Sequence, residues 1–289
     1  MKTAIISGKG GSGKSSISAA FVALSEKVVA VDCDVDASNL PLLFKHIPWK
    51  EEKFISGYRL EVNPEQCIGC GICEANCAFH AIKVIDNIAV ANPFFCEDCH
   101  LCERLCPTQS ISLTADPRSH IYISHFPYGK LIHGHLQPGD DNSGKMIAHM
   151  RKIADQVMTE NNIELQLLDG PPGIGCPVIS TITGIDQIVI VTEPTRSGLS
   201  DLNRACQVGA SFCKNLFVII NKCDINESCR QEILTLCREK GISIITQLPF
   251  NKDVVHAQVQ GKSIIEYAPN STISHLLRKA YQDLFCTSN

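Results

Sequence analysis

Eight residues near the N-terminus, Gly8-Lys9-Gly10-Gly11-Ser12-Gly13-Lys14-Ser15, constrain this chain more than any other stretch. They follow a short apolar run, Thr3–Ser7, and open a helix-forming segment from Lys14 to Ser25. A G-x4-G-K-S sequence between strand and helix makes a phosphate loop: its backbone N–H groups and the helix N-terminus stabilise anionic oxygen. Lys14 is then placed to reach β- and γ-phosphates, and the Ser15 hydroxyl to ligate Mg²⁺. A second apolar run, Val28–Asp32, ends in carboxylates. Such a β-α-β opening predicts a parallel sheet with helices on both faces.

The rhythm breaks from roughly Pro48 to Ala115 and resumes after Ile121. Strands are expected at Ile121–Ser124, Leu131–Leu136, Leu165–Asp169, Gln187–Thr192, Phe217–Asn221 and Ser243–Leu248. Helices are expected at Lys145–Glu160, Leu199–Ser211, Glu227–Lys240 and Thr272–Leu284. This alternation predicts an α/β fold with a doubly wound, mostly parallel sheet and its ligand at the carboxyl ends of the strands. Residues 1–47 and 116–289 form that domain, and residues 48–115 an inserted, smaller α+β one.

The insertion carries two cysteine runs of one spacing, Cys67-x2-Cys70-x2-Cys73-x3-Cys77 and Cys96-x2-Cys99-x2-Cys102-x3-Cys106-Pro107. Three thiolates on one tight loop, with a fourth after three intervening residues, is the pattern of two-cluster bacterial ferredoxins, whose fourth Cys serves the other cluster. The expected ligand sets are Cys67, Cys70, Cys73 with Cys106, and Cys96, Cys99, Cys102 with Cys77, each around a [4Fe–4S] cluster. A zinc ribbon uses two separated C-x2-C pairs instead. The segment also repeats: Ala81-Ile82 follows Cys77 as Ser110-Ile111 follows Cys106, with short strands expected at Arg59–Val62, Ile82–Ile85 and Ile111–Leu113. Cys77 precedes Ala78 where Cys106 precedes Pro107.

Sixteen cysteines could suggest a secreted disulfide scaffold. The phosphate loop begins too early to leave room for a signal peptide, and cluster-type spacing belongs to a reducing compartment, so a cytoplasmic location is expected. No apolar run approaches the ~20 residues of a membrane span. A net charge of -4 without a Lys/Arg cluster argues against nucleic acid as a partner. The eight remaining cysteines are mostly expected to act as small buried hydrophobes.

Lys9 with Gly10-Gly11-Ser12-Gly13-Lys14-Ser15 resembles the deviant phosphate loop of the MinD/ParA/Mrp superfamily of ATPases, in particular members with an inserted two-cluster ferredoxin domain. The resemblance runs from Lys2 to about Glu266, excluding the insertion. It implies an ATPase with a P-loop NTPase fold of the SIMIBI type, in which ATP and Mg²⁺ lie at the interface of a homodimer. Lys9 would reach across to the partner's nucleotide. In Asp32-Cys33-Asp34-Val35-Asp36, Asp34 would position the attacking water and Asp32 would support Mg²⁺; Asp36 has no assigned role. The run Leu165–Asp169-Gly170-Pro171-Pro172-Gly173 resembles the Walker B strand and switch. There Asp169 would hold Mg²⁺ through a water, and the Gly173 N–H would sense the γ-phosphate. Ser16 completes the phosphate loop, Asn221 and Asp224 stand at the base-recognition loop, and Pro249 closes over the base.

The resemblance implies a slow ATPase whose nucleotide-dependent dimerisation is coupled to electron transfer through the clusters to a redox partner protein. The alternatives are an iron–sulfur or metallocofactor carrier of Mrp type and a MinD-like spatial organiser. The amphipathic stretch Leu276–Phe285 could touch a membrane or pack on the sheet, and no stable membrane association is expected. Cys176 lies seven residues after Asp169, where the related nitrogenase iron protein has a cluster ligand. His133 and His135 flank Gly134 and share one strand face, and His100 adjoins Cys99. Asn142-Ser143-Gly144-Lys145 and Val191-Thr192-Glu193-Pro194-Thr195 resemble the same subgroup without an evident mechanism.

Overall fold

The computed structural model describes residues 1–137 and 142–286. Strand β1 (Lys2–Ser7), helix α1 (Lys14–Leu24) and strand β2 (Val28–Asp32) form the opening unit, and every residue of β2 is buried. A strand covered on both faces cannot alternate polar and apolar residues, which is why these runs are continuously hydrophobic. Strand β3 (Ile47–Phe54) follows. It then passes into β4 (Gly57–Val62), α2 (Ile72–Asn76), β5 (Ile82–Ile85), β6 (Ile88–Ala91), α3 (Leu101–Leu105) and β7 (Ile111–Asp116). After these come β8 (Ser119–Phe126), β9 (Gly129–His135), α4 (Ser143–Asn161), β10 (Leu165–Pro172), α5 (Cys176–Ile182) and β11 (Gln187–Thr192). The chain ends with α6 (Arg196–Ala210), β12 (Leu216–Asn221), α7 (Glu227–Glu239), β13 (Ser243–Leu248), α8 (Lys252–Val259), α9 (Ile264–Tyr267) and α10 (Thr272–Phe285).

A nine-stranded sheet has the order β13-β12-β11-β1-β10-β2-β9-β8-β3. Every neighbouring pair from β13 through β9 is parallel. Order reverses around β1 and β10, which puts the crevice for a ligand beyond the carboxyl ends of β1, β10 and β2. One face packs Ile5, Ala30, Leu131, Leu167, Val189 and Ile219 against α1 and α10. Helices α4 and α5 pack on β9, β2 and β10. Gly134 permits this closeness, since a Cβ there would lie 2.5 Å from Met146 Sδ and 3.0 Å from Met150 Sδ.

Strand β3 is the element the sequence conceals. Its residues Ile-Pro-Trp-Lys-Glu-Glu-Lys-Phe are mostly exposed at the sheet's edge, where Pro and charge prevent further pairing. The chain separates into two compact units. The first comprises Met1–Glu52, Ile121–His135 and the chain from Ser143 onward; the second comprises Lys53–His120 and Leu136–Asn142. The sequence boundary at residue 48 therefore falls within β3.

In the second unit β4 pairs antiparallel with β7, and β5 with β6. The β5–β6 turn places Asp86 at φ 50° and Asn87 at φ 62°, the left-handed pair of a tight hairpin. Its core cluster is built on Leu60, Cys73, Ile82, Ala89 and Ile111, and much of what packs around them is thiol: Cys67, Cys77, Cys96, Cys102 and Cys106.

Helix α10 settles one expectation. It buries Ile273, Leu277, Ala280 and Leu284, and the rings of Tyr281 and Phe285 lie 6.1 and 5.8 Å from that of Phe21. The apolar face that could have met a membrane is packed on the sheet. No helix among the described residues is long and apolar enough to cross a membrane.

Candidate functional site

A cavity of about 650 Å³ lies over the loop joining β1 to α1. Gly10, Gly11, Ser12, Gly13, Lys14, Ser15 and Ser16 line it, together with Asp34, Asn221 and Pro249. Gly13 needs its glycine twice: φ is 90°, and a Cβ would lie 2.2 Å from Asn221 Nδ2. Lys14, nearly buried, sets its ammonium 2.8 Å from Asp169 Oδ1, and Ser18 Oγ donates to the same oxygen at 2.7 Å. Burial alone would lower the Lys14 pKa, but the carboxylate of Asp169 raises it.

The second oxygen of Asp169, Oδ2, is buried with no hydrogen-bond partner. An orphaned carboxylate oxygen in a phosphate-loop cavity is what a cation and its waters would satisfy, so the donor set fits Mg²⁺. Asp32 is used differently. Its Oδ2 accepts from Ser38 Oγ (2.7 Å), Asn39 N (2.9 Å) and Leu40 N (2.8 Å), and its Oδ1 from Asp34 N (3.1 Å). It shapes the loop that carries Asp34 to the cavity. Burial and the neighbouring Asp169 push the Asp32 carboxyl up to about 7. Asp36 is exposed.

The second unit holds two small hollows. Cys67, Cys70, Cys73 and Cys106 line one; Cys96, Cys99, Cys102 and Cys77 line the other, with Cys73 between. All sixteen cysteines are free thiols. Among the described residues no three His, Cys, Asp or Glu side chains are grouped closely enough to hold a single metal ion. Hydrogen bonds from Ala89 N (3.4 Å) lower the Cys67 pKa. Burial opposes ionisation of Cys106, but donors at Ser110 and Thr108 hold it down at about 7. Burial raises Cys73, Cys96 and Cys102, the last to about 11. Four thiolates in one such hollow require positive charge at its centre.

Residues 3–264 match the model of the CobQ/CobB/MinD/ParA nucleotide-binding domain. The chain belongs to the CobQ/CobB/MinD/ParA family. It is 34% identical to the uncharacterized protein MJ0578 of Methanocaldococcus jannaschii over 98% of this chain and 96% of that protein. Among solved structures it is similar to the septum site-determining protein MinD of Pyrococcus horikoshii, complexed with Mg-ADP. There the TM-score is 0.59 at 14% identity, over 99% of this chain and 96% of that one. A ParA family ATPase of Chlorobium tepidum gives 0.60 at 17% identity, over 96% and 98%. The chain thus has the nucleotide-binding fold of this family, with its glycine-rich loop at the cavity.

Several residues expected at the family's site are engaged elsewhere. Lys9 turns to its own chain: Nζ lies 2.6 Å from Glu193 Oε1, 3.2 Å from Thr195 Oγ1 and 3.0 Å from Ser197 Oγ. Glu193 also binds Lys222 Nζ at 2.9 Å, and Lys222 donates to Gly11 O at 3.1 Å. This absorbs the run around Glu193 that the sequence left without a mechanism. Asn221 Nδ2 donates to Ser12 O at 2.8 Å, bracing the phosphate loop. Asp224 does not reach the cavity wall; its carboxylate accepts from Phe250 N at 2.8 Å and fixes the loop after Pro249. The Gly173 N–H donates to Ser7 O at 3.0 Å. Gly8 lies under α6, where a Cβ would meet Asp201 Cβ at 2.4 Å.

The sequence did not reveal the apolar wall of Leu42, Leu43, Phe250, Val254 and Val255, with Gln258 beside them donating to Ser16 Oγ at 2.7 Å. These residues are scattered over loops and α8, and no local pattern marks them. Cys176 is exposed at the first turn of α5. His133 stacks on Tyr122 at 5.1 Å between ring centroids, with His46 at 5.7 Å. The ring of His100 is held by Glu103, 2.7 Å from Nδ1.

Proposed function

We propose that the chain is a Mg²⁺-dependent ATPase acting as a homodimer, and that its second unit holds two [4Fe–4S] clusters through which electron transfer to a redox partner protein is coupled to nucleotide state. In this reading the phosphate-loop amides and Lys14 bind the phosphates, and Ser15 and Asp169 hold Mg²⁺, which withdraws charge from the γ-phosphoryl group. Asp34, which lines the cavity, orients the attacking water. The adenine lies against Phe250, Leu42 and Val255, exposed apolar side chains suited to a planar base. A triphosphate draws the Gly173 N–H away from Ser7 O, and dimerisation draws Lys9 from Glu193 to the partner's nucleotide. Those two exchanges are the switch.

The observation that carries the cluster assignment is the make-up of the two hollows. One is lined by Cys67, Cys70 and Cys73 of the first run with Cys106 of the second; the other by Cys96, Cys99 and Cys102 of the second run with Cys77 of the first, Cys73 lying between the two. A zinc ribbon draws on two separated C-x2-C pairs, whereas three ligands of each set here come from one tight run. A unit with so few buried apolar residues and no disulfide is also one that a cluster would stabilise. When bound, the clusters supply one-electron redox chemistry.

The test is anaerobic purification followed by iron and acid-labile sulfide analysis, then ATPase rates with the protein oxidised and reduced. About eight iron and eight sulfide per chain, and a rate that responds to redox state, are expected. Zinc-loaded or iron-free protein would reject the clusters, and a rate indifferent to redox state would reject the coupling.

A further inference from the structure

The two halves of the second unit repeat one turn and differ in its chemistry. The turns are Cys77-Ala78-Phe79-His80-Ala81 and Cys106-Pro107-Thr108-Gln109-Ser110. Third residues after each cysteine, His80 and Gln109, take φ of 52° and 53°. In both turns the backbone N–H four residues on donates to the sulphur at 3.3 Å, Ala81 to Cys77 and Ser110 to Cys106. Only the second turn carries hydroxyls. Ser110 Oγ lies 3.2 Å and Thr108 Oγ1 3.6 Å from Cys106 Sγ, where the first turn has Ala81 and Phe79. Ser110 is 4% exposed, so water competes little for that contact.

Other surroundings act in the same sense. Ala89 N donates to Cys67 of the Cys106 set. No carboxylate lines that hollow, whereas Glu97 lines the other, where His100 is tied to Glu103. A donor to a ligand thiolate favours the more negative, reduced cluster and raises its potential; a nearby carboxylate lowers it.

Resting on the cluster assignment above, we propose that Ser110 and Thr108 make the two sites unequal: the cluster held by Cys67, Cys70, Cys73 and Cys106 is the more easily reduced. One electron from an external one-electron donor comes to rest there; the donor is oxidised by one electron, that cluster is reduced by one, and no bond or proton moves. The second unit then has a direction, with the Cys96, Cys99, Cys102 and Cys77 site as the higher-energy station.

The test is a dithionite titration of the anaerobically purified full chain, followed by electron paramagnetic resonance. Two reduction waves are expected. Ser110→Ala and Thr108→Val should each lower the higher wave, Ser110→Ala by a roughly tenfold change in the reduction equilibrium, about 59 mV for one electron. Ala81→Ser, which places a hydroxyl in the other turn, should raise the lower wave and narrow the gap. Iron-replete protein with coincident waves, or a higher wave that neither hydroxyl variant moves, overturns the proposal and leaves the clusters standing. A raised higher wave in Ala81→Ser also overturns it, and this variant decides if Ser110→Ala takes up no iron. Wild-type protein without iron and sulfide removes the parent assignment as well.

Discussion

Glu193 faces two ammonium groups, those of Lys9 and Lys222, and so stands between the phosphate loop and whatever Lys9 touches next. Burial would raise its pKa, yet the hydrogen bonds and charge of the two lysines hold it below the usual carboxylate range. Replacing it as Glu193→Gln weakens the hold on Lys9. The proposed ATP-bound dimer is then expected at lower ATP concentration than in wild type, as read by sedimentation velocity; an unchanged or weaker dimer would show that the contact does not restrain Lys9. His133 gives a prediction of a different kind. Burial, with His46 and His135 nearby, lowers its pKa to about 4. A base with a depressed folded pKa stabilises the chain above its unfolded value near 6.5, and this contribution is lost as pH falls through 4. Thermal stability should decline from about pH 6.5 toward 4, by about 3 kcal/mol from this group, and His133→Phe should flatten that decline.

Helix α10 carries its own test. Leu277→Ala removes a nearly buried side chain and should cost about 2–5 kcal/mol in unfolding free energy. Wild-type protein should stay in the supernatant when vesicles are sedimented, with or without ATP, because the helix has no apolar face to offer. The same scale shows what sequence could convey. The central strands were legible since burial on both faces leaves a continuous apolar signal, as in β2 and β11. Edge strand β3 was not, because an edge needs charge and Pro to stay unpaired. Short helices α5, α8 and α9 also gave too little periodicity to read. At the site, the glycine loop was legible because its chemistry is local, whereas Lys9 and Asn221 meet partners 186 and 209 residues away and Asp224 one 26 residues on, and only the fold brings them together.

For the whole molecule, the two units have separate cores and should differ in what keeps them folded. The first buries aliphatic and aromatic side chains between sheet and helices, while the second is centred on thiols. On the proposed cluster assignment, stripping iron with a chelator under mild denaturant should leave residues 53–120 open to protease, with nucleotide binding by the first unit retained and measurable by fluorescent-nucleotide titration. Simultaneous loss of both would show one cooperative whole.

The phosphate loop itself is clamped from behind: Asn221 holds the carbonyl of Ser12 and Lys222 that of Gly11. Carbonyls tethered on one side leave the amides little rotational freedom, so an arriving polyanion has little backbone to immobilise. Capture should therefore run near the encounter rate, and the tempo of each cycle should be kept by letting go.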